Sequence, residues 1–215
     1  MATTLAQLRA RTRYYIDETE DTSPVTWPNA ELNQYINDEQ RFLWSLLSKQ
    51  DDEFGLREAT ASTVQGQTDY VYPSDMLGNS VRALYAYTAS SDPQEKVNRG
   101  SLEEVFGEGT TQSSPPKRYA CLDGYFKLGP PPDSTTYTLR IQYTRVPTIL
   151  SSDGSNMDTD DDYAEHISMG AAVRALRRIG RDPALIEQKR QELLAEAARS
   201  NSADDFLTVK PAWKY

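Results

Sequence analysis

The chain has 215 residues, enough for one domain or slightly more. Its 32 acidic residues outnumber its 23 basic residues, and the net charge of −9 argues against phosphate-backbone binding as the main role, because such binding needs a basic surface. Only 38% of the residues are hydrophobic, yet 13 are tyrosines and three are tryptophans. This composition favours a subunit that completes its burial against neighbouring proteins.

The first fifty residues predict two amphipathic helices. The first runs from about Leu5 to Glu18 and is capped by Thr3 or Thr4. The second has Pro28 in its first turn and carries a long apolar stripe. Four residues of that stripe exceed what one partner helix can cover, so we predict that they pack against the other helices and the next subunit: Leu32, Ile36, Leu43 and Leu47.

Residues 56–150 predict an inserted antiparallel β domain. Five or six segments have strand character, and two of them form a hairpin on the Asp123–Gly124 turn. Ser101 and Glu104 have the spacing of a capping box, which predicts a short helix. The only cysteine, Cys121, excludes an internal disulfide and is interpreted as a small buried hydrophobe in a strand.

The third predicted strand, residues 81–88, carries two of the tyrosines. Because side chains alternate along a strand, Tyr85 and Tyr87 share one face and Leu84 lies on the other. The pattern leaves open which of the two faces is buried.

Residues 1–55 and 151–199 together predict a four-helix module, since two more amphipathic helices follow the β domain. We expect the third long helix to stop at Gly180. The fourth begins around Pro183 and is expected to end near Arg199. The fold class is therefore α+β, with a β domain inserted in a helical one.

Residues 200–215 predict an extended C-terminal arm. Residues 201–205 are poor helix formers, and Pro211 forbids a continuous helix. We expect this arm to be disordered alone and to dock on a partner, with Trp213 as the main anchor. Packing against the chain's own helices stays open as the alternative. The arm carries five apolar side chains: Phe206, Leu207, Val209, Trp213 and Tyr215.

No motif for catalysis, phosphate binding or metal binding stands out. His166 is the only histidine, and no nucleophile elbow or phosphate-binding glycine loop accompanies it. The acidic segment 153–165 fails the calcium-loop template because Tyr163 stands where glycine is needed. We therefore expect no enzyme activity and no cofactor, and we assign Asp160–Asp162 an electrostatic role at a helix N-terminus.

Several short motifs follow one another in an order that is informative as a set. They are Trp27-Pro28-x-x-Glu31-Leu32, Gly66-Gln67-Thr68-Asp69-Tyr70, Phe126-Lys127-Leu128-Gly129-Pro130-Pro131-Pro132-Asp133, Leu139-x-Ile141-x-Tyr143 and Gly170-Ala171-Ala172. In this order, over almost its whole length, the chain resembles the head-to-tail adaptor (head completion, connector) proteins of tailed bacteriophages. It departs from them where Asp160–Asp162 replace an expected proline before the third long helix.

The resemblance implies a structural protein of the virion neck, made in the host bacterial cytoplasm. About twelve copies would form a ring that binds the portal protein, with tail or neck proteins beneath it and DNA passing through without specific binding. The resemblance also implies that the arm, residues 200–215, docks in a groove of the portal or of a neighbouring subunit. Twelve copies at −9 each would carry formally about −108, so a lumen lined by these acids would repel DNA. We expect no membrane partner, since no apolar run approaches the roughly 20 residues of a membrane span.

Two other classes of function stay open. In the first, the tyrosine-rich β domain is a receptor- or carbohydrate-binding module of a phage. In the second, the chain is an enzyme, which the missing motifs disfavour.

Overall fold

Helices lie at both ends of the chain and strands in its middle, so the chain is an α+β protein. The computed structural model describes residues 2–16, 27–51, 53–88, 93–107, 114–133 and 136–207, with only the backbone for residue 106 and residues 196–207. The helices are α1 (Leu5–Tyr15), α2 (Asn29–Gln50), α3 (Leu102–Gly107), α4 (Ala164–Arg178) and α5 (Ala184–Leu207). The strands are β1 (Leu56–Ser62), β2 (Asp69–Val71), β3 (Met76–Tyr87), β4 (Glu95–Arg99), β5 (Arg118–Leu122), β6 (Tyr125–Gly129) and β7 (Thr138–Arg145).

These elements form two units. The helical unit consists of Met1–Trp44 and Pro147–Tyr215, and the β unit of Ser45–Val146. Helix α2 belongs to both, since its last six residues, 45–50, fall in the β unit. Among the described helices, none combines the length and the apolar character that a membrane span requires.

The helix ends follow the capping signals of the sequence. The Thr4 side chain accepts a hydrogen bond from the Gln7 N–H, and the Gln7 side chain accepts one from the Thr4 N–H, which is a capping box. At the start of α5, Oδ1 of Asp182 accepts from the Ala184 N–H at 3.0 Å. Helix α4 ends just before Gly180, as predicted.

Helix α4 is the most deeply buried element of the helical unit. Eleven of its fifteen residues are buried, and it contacts both α1 and α5. Its small residues 170–172 allow close packing. A core cluster joins α4 to the N-terminal half of α2 and consists of Ile16, Trp27, Leu32, Ala172, Ala175 and Leu176.

The β unit is a curled seven-stranded sheet in the order β1-β7-β3-β4-β5-β6-β2. Its buried side encloses one apolar cluster to which strands from both ends of that order contribute. Tyr70 and Phe126 stack there with ring centroids 5.6 Å apart. The chain enters and leaves the sheet at neighbouring positions, because the Arg145 N–H donates to the Gly55 carbonyl at 3.0 Å.

Two expectations about the strands are corrected by the structure. Strand β4 was not predicted, because Val97 is its only buried residue and the other four are polar or charged. The domain is not wholly antiparallel, because β4 pairs in parallel with β5 through two residue pairs, Asn98 with Arg118 and Arg99 with Tyr119. The predicted hairpin on Asp123–Gly124 is confirmed, with β5 and β6 pairing antiparallel on either side of it.

The expected end of the last helix near Arg199 is wrong. The backbone of α5 is helical to Leu207, so residues 201–205 continue the helix. The residues that suggested a break, such as Ser202 and Asp204, each cost only some tenths of a kcal/mol in a helix relative to alanine. The true helix breakers are glycine and proline, and the first of these after Ala184 is Pro211.

Candidate functional site

The four apolar residues singled out on α2 are all buried. Leu32, Ile36 and Leu43 lie in the helical unit and Leu47 in the β unit. Leu32 belongs to the core cluster of the helical unit. Contact with a neighbouring subunit stays a prediction for all four.

A buried carboxylate interrupts this apolar stripe. The Glu39 side chain is only 3% exposed and accepts hydrogen bonds from Nε of Arg174, at 2.5 Å, and from a terminal nitrogen of Arg190. Gly170 lets α4 approach this carboxylate, since a Cβ built on Gly170 would lie 2.6 Å from Cδ of Glu39. The network ties α2, α4 and α5 together through charge-assisted hydrogen bonds.

The only histidine lies beside this carboxylate network. His166 is buried in α4, and its Nε2 accepts a hydrogen bond from Nε of Arg190 at 3.3 Å. Burial and then the positive charge of Arg190 lower the pKa of His166 from 6.5 to about 4. The imidazole is therefore neutral at physiological pH and serves as an acceptor for Arg190.

Helix α1 is fastened by buried arginines. Arg9 donates to Oδ1 of Asp153 at 3.0 Å, and Arg13 donates to Oδ1 of Asn29 at 2.6 Å. The guanidinium of Arg9 holds the pKa of Asp153 below its usual range by hydrogen bonding and by its charge. The packing of α1 thus depends on polar contacts as well as on its leucines.

Several acids of the segment 153–165 hold backbone and side-chain donors of the helical unit. Oδ1 of Asp161 accepts from both the N–H and the hydroxyl of Thr3, at 2.5 and 2.6 Å, and these bonds lower its pKa. Asp158 accepts from the Thr148 N–H. Within the described ranges, no group of three or more histidines, cysteines and acids is arranged to hold a metal ion.

Strand β3 turns its leucine inward and its two tyrosines outward. Leu84 is buried, whereas Tyr85 and Tyr87 are half-buried on the opposite face. Arg140, paired with Tyr85 across the β3–β7 ladder, donates to both carboxylate oxygens of Glu58. These hydrogen bonds are the largest cause of the low pKa of Glu58 and fix Arg140 on the tyrosine-bearing face.

The structure describes two of the five apolar residues of the predicted arm. Phe206 and Leu207 belong to the last turn of α5 by their backbone. Val209, Trp213 and Tyr215 lie outside the described residues. The docking of the arm on a partner stays a prediction.

The polar core of the helical unit was not predicted from the sequence. One signal could have found it, because Glu39 stands at helical spacing in the stripe of Leu32, Ile36 and Leu43, where an apolar residue is normal. Buried charged residues are nearly always paired, so Glu39 implied a basic partner. Nothing local to Arg190 identified it as that partner.

Comparison with known proteins assigns nearly the whole chain to one family. The family model described as SU10 adaptor protein matches residues 3–210, which cover both units. No curated protein matches the chain.

Proposed function

The chain belongs to the SU10 adaptor protein family, a family of phage head–tail adaptors, and from this membership we propose that it forms a ring in the virion neck that joins the portal to the tail. DNA would pass through the lumen of that ring without specific binding. The proposal rests on the extent of the match, residues 3–210, since this range includes both the helical unit and the inserted β unit.

The charge distribution is consistent with this role. Residues 1–44 and 147–215 hold 19 of the 32 acids and 13 of the 23 bases, a net charge of −6 out of −9. A ring that places these residues around its lumen presents a negative surface to DNA, and like charges reduce retention of the DNA during passage.

Exposed apolar side chains on the helical unit are candidates for contacts between subunits or with the portal. Ile149 and Leu185 are 75% and 84% exposed. Single exposed apolar residues are common on proteins, so they support the proposal only together with the family match.

The proposal is tested by mixing the purified chain with the purified portal of the same phage. We expect a ring on the portal, measured by light scattering after size exclusion and by negative-stain electron microscopy. A variant with Ile149→Asp and Leu185→Asp should fold normally and assemble less well, and Val71→Asp, on an edge strand of the β unit, is the matched control. A wild-type chain that neither binds portal nor forms rings would contradict the proposal.

The outward face of β3 and β7 supports a second candidate, a receptor- or carbohydrate-binding role for the β unit. Tyr85, Tyr87 and Arg140 are residue types that dominate binding surfaces, and Glu58 holds Arg140 in place. Glycan-array binding of the chain, lost in Tyr85→Ala with Tyr87→Ala, would support this role. Absence of binding on the array, with assembly on the portal intact, would reject it.

A further inference from the structure

Helix α5 differs from its neighbour α4 in how it is held. No residue of α5 in the range 184–195, the part whose side chains are described, is fully buried, whereas eleven of the fifteen residues of α4 are. Ile186, Leu193 and Leu194 are half-buried, and Ile186 packs against the core cluster of the helical unit. Apolar burial therefore contributes less to the attachment of α5 than to that of α4.

Several contacts of α5 are between charged groups at the surface. Nζ of Lys189 lies 3.1 Å from Oε1 of Glu165, with the two side chains 57% and 40% exposed. A terminal nitrogen of Arg177 lies 2.7 Å from Oε2 of Glu187, also in an exposed position. Such pairs contribute little because water and salt screen them.

Arg190 is different, because it reaches buried groups on two other helices. Its side chain is 15% exposed, it donates to the carboxylate of Glu39 on α2 and to Nε2 of His166 on α4, and its guanidinium lies 5.6 Å from the ring centre of Phe42. A charge-assisted hydrogen bond to a buried carboxylate contributes more than an ion pair that water screens at the surface. This one side chain thus outweighs the surface pairs.

We propose that α5 is a releasable helix, and that the groove formed by Glu39, Phe42 and His166 is a docking site whose occupant is α5 of the same chain, inserted through Arg190. The release of Arg190 detaches α5 and leaves α1, α2 and α4 folded on one another. The inference stands independently of the proposed function. Its consequence for an adaptor is that one contact, through Arg190, controls whether α5 stays attached to the helical unit.

Retention of the α2–α4 contact after release has a structural reason. Glu39 keeps a second partner, Arg174, whose Nε lies 2.5 Å away. The core cluster of Trp27, Leu32 and Ala172 does not depend on α5 for its buried members. Loss of Arg190 therefore exposes the groove and leaves the carboxylate with one arginine.

His166 gives a direct readout, because it is the only histidine in the chain. With α5 docked, burial and Arg190 keep its pKa at about 4. Arg190 is the charged group that acts on the imidazole, and it is held in turn by Glu39 on α2, which Arg174 on α4 also contacts. Once Arg190 is gone and water enters the groove, the imidazole should titrate close to its ordinary pKa of about 6.5.

The experiment measures two quantities in the full chain, the nuclear magnetic resonance titration of the imidazole and the hydrogen exchange of helix amides. In Arg190→Ala we expect the pKa of His166 to rise by at least about one unit. We also expect the amides of α5 to exchange at least ten-fold faster, with α2 and α4 unchanged. The matched control, Lys189→Ala, removes a neighbouring but exposed ion pair and should behave as wild type in both measurements.

Two results would overturn the proposal. The first is an unchanged pKa and unchanged α5 exchange in Arg190→Ala, which would show that other contacts hold the helix. The second is loss of protection in α2, α4 and α5 together, which would make Arg190 part of a single core. If Arg190→Ala fails to fold, Glu39→Gln keeps the side-chain volume and removes the attracting charge, and the same selective increase in α5 exchange is expected; its absence rejects the proposal.

Discussion

The contact between Gly170 and Glu39 makes the helical unit unusually sensitive to one methyl group. In Gly170→Ala the added Cβ would lie 2.6 Å from Cδ and 2.8 Å from Cγ of Glu39, both too close for carbon atoms. The carboxylate cannot retreat without lengthening its bonds to Arg174 and Arg190. We therefore expect this substitution to destabilise the helical unit.

The size of the effect follows from three contributions. Overpacking of a close contact costs about 1–3 kcal/mol. Weakening hydrogen bonds to a charged group costs about 1.5–3 kcal/mol. Alanine returns about 1 kcal/mol through its higher helix propensity. The net loss is about 1.5–5 kcal/mol, or a fall in Tm of about 3–20 °C for a chain of this length.

The assay is thermal unfolding followed by circular dichroism at 222 nm, where the helices dominate the signal. Gly154→Ala is the matched control, because no atom lies within 4 Å of its added Cβ. A double-mutant cycle isolates the contact: in a Glu39→Ala background the clash is gone, so Gly170→Ala should be neutral or stabilising by about 1 kcal/mol. Equal losses in both backgrounds, or a Tm of Gly170→Ala matching that of Gly154→Ala, would refute the reasoning.

Four further predictions concern stability and assembly. Leu43→Asp buries an unpaired charge and should cost several kcal/mol and prevent assembly on the portal, whereas Ile149→Asp, at an exposed site, should leave the Tm unchanged. Deleting residues 56–147 should leave a helical remnant by circular dichroism that still binds portal, because the chain enters and leaves this segment close together, with the Arg145 N–H donating to the Gly55 carbonyl. Truncation after Asn201 should leave the Tm nearly unchanged and abolish stable attachment to the portal in a pull-down. Acidification from pH 6.5 to pH 4 should lower the free energy of unfolding of the helical unit by about 3 kcal/mol, because the unfolded chain protonates His166 near pH 6.5 and the folded chain only near pH 4. Urea unfolding at a series of pH values measures this dependence, and His166→Gln should flatten it.

Each of these four has a contrary outcome. Normal assembly of Leu43→Asp would show that the packing of α2 does not control the ring. An unfolded remnant after the deletion would show that the two units share one core. Portal binding by the truncated chain would show that the arm is not required for the interface. An unchanged pH dependence in His166→Gln would show that other groups cause the loss of stability.

Local features of the fold could be predicted from the sequence because their physics is local. The capping box of Ser101 and Glu104 forms as predicted, with the Ser101 N–H donating to Oε2 of Glu104 at 2.8 Å and the Glu104 N–H donating to the Ser101 hydroxyl at 3.2 Å. The Asp123–Gly124 turn and the end of α4 at Gly180 have the same character. In each case, residues close in sequence make the hydrogen bonds that the local backbone groups need, so no knowledge of the rest of the chain is required.

Features that depend on distant residues could not be predicted. The buried face of β3 was left open because both faces carry apolar or aromatic side chains, and only packing against the sheet core decides that Leu84 points inward. Strand β4 owes its place to backbone pairing with β3 and β5, with Val97 as its single buried residue. The partner of Glu39 lies 151 positions away in the chain, and sequence spacing carries no information on such a pair.

Several acids of the segment before α4 make hydrogen bonds within the chain, so their charges stabilise the fold and are not all available to a partner. Asp153 is hydrogen-bonded to Arg9, and Glu165 accepts from the hydroxyl of Tyr15 as well as from Lys189. The exposed Asp160 and Asp162 lie at the N-terminal end of α4, where negative charge is favourable for the helix itself. Because paired acids cancel against their partners, the field that such a ring would present to DNA depends on the exposed acids. Repulsion of DNA by such a ring therefore depends on where exposed acids such as Asp160 and Asp162 lie in it, and the total charge of −9 alone does not determine it.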